Sequence, residues 1–382
     1  MTVTTAAGFR ASGVAAGLKE DGRDIALVVN DGPLDVAAGV FTANRVKAAP
    51  VLWSEQVLDG GQLRAVVLNA KYANACTGPA GFAVTHATAE AVATELGIGP
   101  GEVAVCSTGK IGEPPPLPAI VEGVHRACIE LSVNGGPDAA DAIRTTDTVS
   151  KQATVDGTGW SVGGMAKGAG MLAPALATML CVLTTDAVVD AELADRVLRS
   201  ATRLTFDRVD SDGCLSTNDT VLLLASGASG VTPLADEFGA AVRAVCADLA
   251  RQLVADAEGA SKQVAVEVRG AATEADAVEV ARAIARSNLL KCAIHGEEPN
   301  WGRILAAVGT TNARFDPLQI DAAINSVWVC RDSAPAADID QVDMSGAEVE
   351  ITVDLRSGEE TATIWTNDLT AAYVHENSAY ST

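Results

Sequence analysis

Ala169–Thr185 reads Ala-Gly-Met-Leu-Ala-Pro-Ala-Leu-Ala-Thr-Met-Leu-Cys-Val-Leu-Thr-Thr, 17 residues without a charge. A helix that spans a membrane needs about 20 apolar residues, and Pro174 interrupts this run. The stretch therefore reads as an uncharged loop that becomes a buried strand over Met179–Leu183. Around it, strand-like and helix-like patterns alternate. Upstream, Thr154–Gly164 predicts a hairpin about Asp156-Gly157. Downstream, Ala191–Thr202 predicts a helix and Thr220–Ala225 a strand. Leu234, Phe238, Val242, Val245, Leu249 and Leu253 fall on one face of a further long helix.

The same alternation covers the rest of the chain. Asp24–Val29, Arg64–Leu68 and Val103–Cys106 are β-rich runs bounded by turn residues, and Val84–Leu96 and Leu117–Leu131 carry helical spacing. Val264–Val268 and Val349–Val353 alternate as half-buried strands. No internal repeat or low-complexity linker is visible. The fold class is α/β (α+β), a layered arrangement of β-sheets covered by helices. Periodicity leaves the strand order open.

Composition narrows the function. The chain has 382 residues, with 27 Lys plus Arg against 49 Asp plus Glu, a net charge of −22. Such an acidic chain repels phosphate backbones and anionic membranes. A length of this order allows about two to three domains, and a hydrophobic share of 48% supplies a sizeable core. Aromatic residues make up only 4%, too few for base- or sugar-stacking platforms. The four histidines stand apart from one another, and the eight cysteines include no C-x-x-C pair, so no metal site is expected. Dispersed cysteines and an N-terminus without an apolar leader fit a cytoplasmic protein.

Several motifs carry two readings each. Gly168–Ala173 fits G-x-G-x-x-A in form, but the pattern shows no clear strand ahead of it and Pro174 follows, which argues against a dinucleotide site. Gly109-Lys110 lacks the Ser or Thr of a P-loop. Asp207–Gly213 lacks the ligand spacing of an EF-hand and reads as a hydrogen-bonded acidic turn. Ser107-Thr108-Gly109 ends a strand with a hydroxyl and a sterically open N–H: the parts of an oxyanion hole, or an ordinary turn. Asp256–Lys262 reads as a helix C-cap at Gly259. The C-terminal tail holds two of the three tyrosines, Tyr373 and Tyr380, which predicts that it packs.

Thr178 is either a plain strand-start residue or a nucleophile. A Thr hydroxyl pressed against its own preceding carbonyl can take the acyl group by an N-to-O shift, and hydrolysis of the ester then frees an N-terminal Thr. The α-amine, with an ordinary pKa near 7.7–8.0, becomes a general base for its own hydroxyl. No histidine is required.

Taken together these segments resemble the ornithine acetyltransferase family, bifunctional glutamate N-acetyltransferase and amino-acid acetyltransferase of arginine biosynthesis. The resemblance rests on Ser107–Gly109, Thr145–Thr148, Lys167–Leu180, Asp212-Gly213 with Ser216–Asp219, Asp256–Lys262, Lys291–Arg303 and Thr366–Tyr380, in family order across nearly the whole chain. Lys71-Tyr72 stand where the family has a small Gly-Asn pair, and Lys110 where it has a small apolar residue.

The resemblance implies an enzyme that cleaves itself between Ala177 and Thr178, giving an α chain (1–177) and a β chain (178–382). Thr178 would be the nucleophile, and Thr108 and Gly109 the oxyanion hole. Thr145, Lys167, Thr178, Glu258, Asn377 and Thr382 would contact the amino-acid substrate. The acetyl group would pass from N2-acetylornithine, with acetyl-CoA as a second donor, to L-glutamate through acetyl-Thr178. No cofactor or metal is implied, nor any nucleic acid or membrane partner. The implied assembly is a heterotetramer of two α and two β chains. Two rivals remain at this stage: a self-processing amidase or aminopeptidase with water as acceptor, and an uncut binding protein.

Overall fold

The computed structural model describes residues 2–173 and 179–379. Thr178 and Thr382 lie outside them. The chain divides into two compact units. Among the described residues, the first comprises those up to Asp207 together with Cys214–Asp256, and the second comprises Arg208–Gly213 and residues 257–379.

The first unit is a four-layer sandwich. One sheet contains β1 (Phe9–Val14), β2 (Ile25–Asn30), β4 (Ala65–Asn69) and β5 (Val103–Ser107), in that order. The other has the order β3 (Val36–Phe41), β9 (Thr220–Ala225), β8 (Leu180–Thr185), β7 (Ser161–Lys167), β6 (Lys151–Asp156). β2 shows why its sequence is a continuous apolar run. Ala26 and Val28 face the core between the sheets with Val182, Leu222 and Leu224. Ile25, Leu27 and Val29 face the opposite way, against Val92 of α2 (Gly78–Leu96) and Ile120 and Val124 of α3 (Leu117–Ile129). A strand covered on both faces has no polar side to alternate with.

α1 (Ala49–Val57) joins the same outer layer through Trp53, whose Nε1–H donates to the Val103 carbonyl at 3.0 Å. α4 (Gly136–Ala142) puts Ala139 and Ala140 into the inter-sheet core. α5 (Ala191–Leu204) and α6 (Ala235–Ala255) pack on the outer face of the second sheet, α5 over β3 and α6 over β6 and β7. The predicted apolar face of α6 is buried from Phe238 through Leu253. The α6 helix ends at Ala255, ahead of Gly259.

The second unit is a six-stranded sheet with helices against it. Its strands are β10 (Gln263–Ala271), β11 (Asp321–Ile324), β12 (Val327–Arg331), β13 (Ala334–Pro335), β14 (Glu348–Asp354) and β15 (Glu360–Asn367). Their order is β13-β12-β11-β14-β10-β15. β10 and β14 run parallel with Val264 opposite Val349, so the two predicted alternating strands present one apolar face. That face packs on α7 (Glu274–Ala285), α8 (Asn288–His295) and α9 (Trp301–Val308). The tail forms α10 (Ala371–Ala379).

Three local expectations shift. The hairpin turns at Gly157–Trp160 rather than at Asp156, which pairs with Ser161 as the last strand residue. Over its described residues the tail packs less than expected: α10 has no buried residue, although a Cβ on Gly259 would meet the Tyr373 nitrogen at 2.2 Å and Asn377 bonds Glu258; Tyr380 lies outside the described residues. Gly259 sits at φ +61°, so it serves this close approach rather than capping α6. The two compact units are a separate division from the expected α and β chains, whose cut at 177/178 lies in sequence between β7 and β8.

Candidate functional site

In the first unit the site grows from the C-terminal ends of β5 and β7. β5 stops at Ser107, and Gly109 turns with φ +126°. A Cβ at Gly109 would lie 2.2 Å from the Lys71 carbonyl carbon, so no other residue fits. The Thr108 N–H is committed to the Asn69 carbonyl at 3.0 Å, while the Gly109 N–H has no hydrogen-bond partner among the described residues. Thr108 is buried, and its Oγ1 accepts from Lys167 Nζ at 3.2 Å. A hydroxyl polarised by an ammonium beside an open backbone N–H is what a developing oxyanion requires.

Lys167 ends β7 and pairs in register with Leu180, which starts β8. Next to it in sequence, the Met179 N–H donates to Asp219 Oδ1 at 3.2 Å and the Met179 carbonyl accepts from the Thr220 N–H at 3.1 Å. Met179 directly follows Thr178, so Asp219 anchors the position next to the expected nucleophile. Asp219 is fully buried, and burial pushes its carboxyl well above the ordinary range.

Thr145 and Gly168, the residue after Lys167, are joined through Asp147. Its Oδ2 accepts the Thr145 N–H at 3.0 Å, and its Oδ1 accepts the Gly168 N–H and Lys151 Nζ, each at 2.6 Å. Lys151 also donates to Asp256 Oδ2 at 2.6 Å. Burial opposes ionisation of Asp147, but Lys167, Lys151 and the Gly168 N–H outweigh it and hold the carboxyl well below its ordinary range. Asn218 performs a similar task on the other strand end. Its Nδ2 bonds the Ala73 carbonyl at 2.6 Å and the Ser107 carbonyl at 2.8 Å, fixing the residue before Thr108.

The positions that depart from the family pattern lie on the same turn. Lys71 sits at φ +81°, a conformation suited to glycine, and its carbonyl accepts the Lys110 N–H at 2.9 Å. The Lys110 side chain pairs with exposed Glu113 at 2.9 Å.

In the second unit, Glu258 and Asn377 come together: Asn377 Nδ2 donates to Glu258 Oε2 at 3.0 Å and to the Tyr373 carbonyl at 3.0 Å. Glu258 lines a cavity of about 350 Å³ with Asp212, Arg286, Lys291, Asp368 and Tyr373. Asp368 is held by Ser261 Oγ, by the Ser261 and Lys262 N–H groups at 2.9 Å each, and by His295 Nδ1 at 2.9 Å. Despite its burial, these bonds keep its carboxyl below the ordinary range. Arg286 Nε pairs with Asp210 Oδ2 at 2.7 Å. Lys291 Nζ donates to the Ser211 carbonyl at 2.5 Å and to Thr366 Oγ1 at 3.0 Å, and burial lowers its pKa to about 8.

Of the expected site residues, the structure joins Thr108, Gly109 and Lys167, and ties Thr145 to the residue after Lys167. It pairs Glu258 with Asn377. The anchoring roles of Asp147, Lys151, Asn218 and Asp219 were not read from the sequence, although Asp147, Asn218 and Asp219 stand inside quoted motifs. Their signal was a polar residue directly beside a strand end. No group of three His, Cys, Asp or Glu side chains among the described residues could hold a metal ion, and no helix among them is long and apolar enough to cross a membrane.

A profile of the ArgJ family matches residues 10–382. The chain is 68% identical over 382 residues to the arginine biosynthesis bifunctional protein ArgJ of Streptomyces avermitilis, covering all of both chains. It is 60% identical to the protein of that name from Thermobifida fusca, again over all of both chains. Among solved structures, ornithine acetyltransferase complexed with ornithine, from Mycobacterium tuberculosis, is 59% identical with a TM-score of 0.45. That match covers 45% of this chain and 94% of the other.

Proposed function

Since the chain belongs to the ArgJ family, we propose that it is an acetyltransferase of arginine biosynthesis that activates itself by cleavage between Ala177 and Thr178. The observation that carries this reading is the Thr108–Gly109 turn: a buried hydroxyl bonded to Lys167 and an N–H without a partner among the described residues. Such donors suit a place where negative charge develops on an oxygen.

In the maturation step, Thr178 Oγ attacks the Ala177 carbonyl carbon. The C–N bond breaks, the amine takes the proton, and water hydrolyses the ester to leave a free Thr178 amine and hydroxyl. In each turnover the α-amine accepts the hydroxyl proton while Oγ attacks the acetyl carbonyl of N2-acetylornithine. Thr108 and Gly109 receive the oxyanion, each donor contributing about 3–4 kcal/mol to the transition state. The acetyl–nitrogen bond breaks and ornithine leaves carrying the proton; the amine of glutamate then attacks acetyl-Thr178, the ester C–O bond breaks, and Thr178 Oγ takes the amine's proton by way of the α-amine, giving N-acetylglutamate and the free hydroxyl.

Lys167 offers a cation to a substrate carboxylate, and Glu258 a carboxylate to a substrate ammonium, with Thr145, Asn377 and Thr382 supplying polar contacts. The same acetyl-enzyme allows acetyl-CoA as a second donor. The reading includes no cofactor, a cytoplasmic location and an assembly of two α and two β chains. Water as acceptor gives the amidase alternative, and acetate release independent of glutamate would favour it.

The test is intact-mass analysis and N-terminal sequencing of the wild type and Thr178→Ala. A Thr-Met-Leu-Cys start in the wild type and an uncut variant without acetyl transfer are expected. Cleavage at 177/178 in the variant, or undiminished transfer, overturns the reading.

A further inference from the structure

In the first unit β3 is an edge strand, and only part of its outer edge is covered. Its even-numbered residues bond β9, a direction fixed by the Thr42 N–H, which donates to the Asp219 carbonyl at 2.9 Å. The odd-numbered ones face outward. Ala37 meets a partner there: its N–H donates to the Gly61 carbonyl at 2.8 Å. Gly61 sits at φ +67°, and the chain ahead of it, Leu58–Gly60, coils into a helical turn instead of running on beside β3. The N–H and C=O groups of Gly39 and Phe41 are left without hydrogen-bond partners among the described residues.

Beside this open edge lies a cavity of about 600 Å³. Phe41 and Leu58 give it apolar surface, and Glu55, Asp59, Glu192 and Asp195 give it four carboxylates against one cation, Arg199. Two of the four are committed, Glu55 to Lys47 and Asp195 to Arg199 at 2.9 Å. Glu192 is exposed and stands 3.5 Å from the exposed Arg196, and Asp59 is exposed with no partner among the described residues. An unpaired strand edge accepts a further strand through its main chain, and the charges beside it decide which strand. A second copy of this chain, at a net charge of −22, is repelled by such a rim. A basic segment is attracted to it.

We infer that the groove beside β3 docks a basic, extended segment of a partner protein, which adds as a short strand to Gly39 and Phe41 and places its cations against Asp59 and Glu192. In an extended segment side chains alternate between two faces, so apolar residues facing Phe41 and Leu58 alternate with the basic ones. None of the site residues described above lines this groove, so its occupation is a property separate from acetyl transfer.

The test is fluorescence anisotropy of the full chain with a labelled peptide, Lys-Val-Lys-Val-Lys-Val, blocked at both ends. Its controls are the same peptide with Glu in place of Lys and the Lys peptide N-methylated throughout, which keeps the charge but cannot donate main-chain hydrogen bonds. The Lys peptide is expected to bind at least tenfold more tightly than either control. It should lose at least tenfold in the double variant Asp59→Asn, Glu192→Gln, whose two positions are exposed and leave the fold intact. Bound peptide should also slow hydrogen exchange at the Gly39 and Phe41 amides. Equal affinity for the N-methylated peptide, or exchange at those amides unchanged by the peptide, overturns strand addition. Undiminished binding to the double variant overturns the groove as the site. Protection of Gly39 and Phe41 that rises with the concentration of the chain alone would place a second copy on the edge and overturn the basic partner.

Discussion

Removing Lys151 tests whether the buried network around Asp147 holds the site together. The ammonium bonds Asp147 and Asp256 at 2.6 Å each, and the side chains of Lys151 and Asp147 are fully buried. Lys151→Met deletes two charge-assisted hydrogen bonds and leaves carboxylates without their nearest cation. Truncating one partner of a buried pair costs about 3–5 kcal/mol. At about 2–4 °C per kcal/mol for a unit of this size, the melting temperature falls by roughly 6–20 °C.

The pH dependence follows from the sign of the Asp147 shift. Its folded carboxyl lies below the ordinary value, so its stabilisation is present above that value and is lost only as pH falls through the folded one. Without Lys151 the folded value rises, and protonation relieves the stranded charge. Calorimetry at pH 7 and pH 4 should therefore show a large deficit at neutral pH and a smaller one in acid. Adding Asp147→Asn to Lys151→Met should recover part of the loss. A deficit under about 1 kcal/mol, or one equal at both pH values, would refute the assignment of this network as a paired buried charge cluster.

Other outcomes follow from single positions. Gly109→Ala forces a Cβ against the Lys71 backbone at a left-handed φ, so a melting-temperature loss and at least a hundredfold drop in kcat are expected, measured by calorimetry and acetyl transfer. Lys71→Gly relieves the φ of +81° and should raise stability by about 1 kcal/mol in thermal melts; a loss would count against the strain argument. Lys291 is displaced from 10.5 to about 8, so the folded state releases this proton first, and stability gains about 3 kcal/mol relative to Lys291→Met between pH 8 and 10.5. Parallel pH profiles for the two proteins would contradict it.

The elements named from periodicity recur in the structure with small shifts at their ends, because each is long or strongly apolar. β2 could be read as a strand from its run of aliphatics, and α6 from six apolar residues at helical spacing. Short helices and irregular strands such as α8, β11 and β13 carried too little pattern to be read. Thr108, Gly109 and Lys167 stood in quoted motifs, and the structure brings them together. The roles of Asp147, Asn218 and Asp219 were not legible, since each depends on which strand end lies beside it. An Asp beside two Thr residues reads as surface polarity until Lys151 and the Gly168 N–H are known to face it.

By itself the sequence determined the layered α/β class and the family, and it raised the proposal of a Thr that supplies its own base. These are written in local spacing and in motif order along the chain, and need no third dimension. Only the tertiary structure decided which charges are buried, which are paired, and which donors stay open. Lys291 reads as an ordinary cation among 27 Lys and Arg residues. Burial against the Ser211 carbonyl and the Thr366 hydroxyl distinguishes it, since the energy of a charge is set by its surroundings and not by its position in the chain.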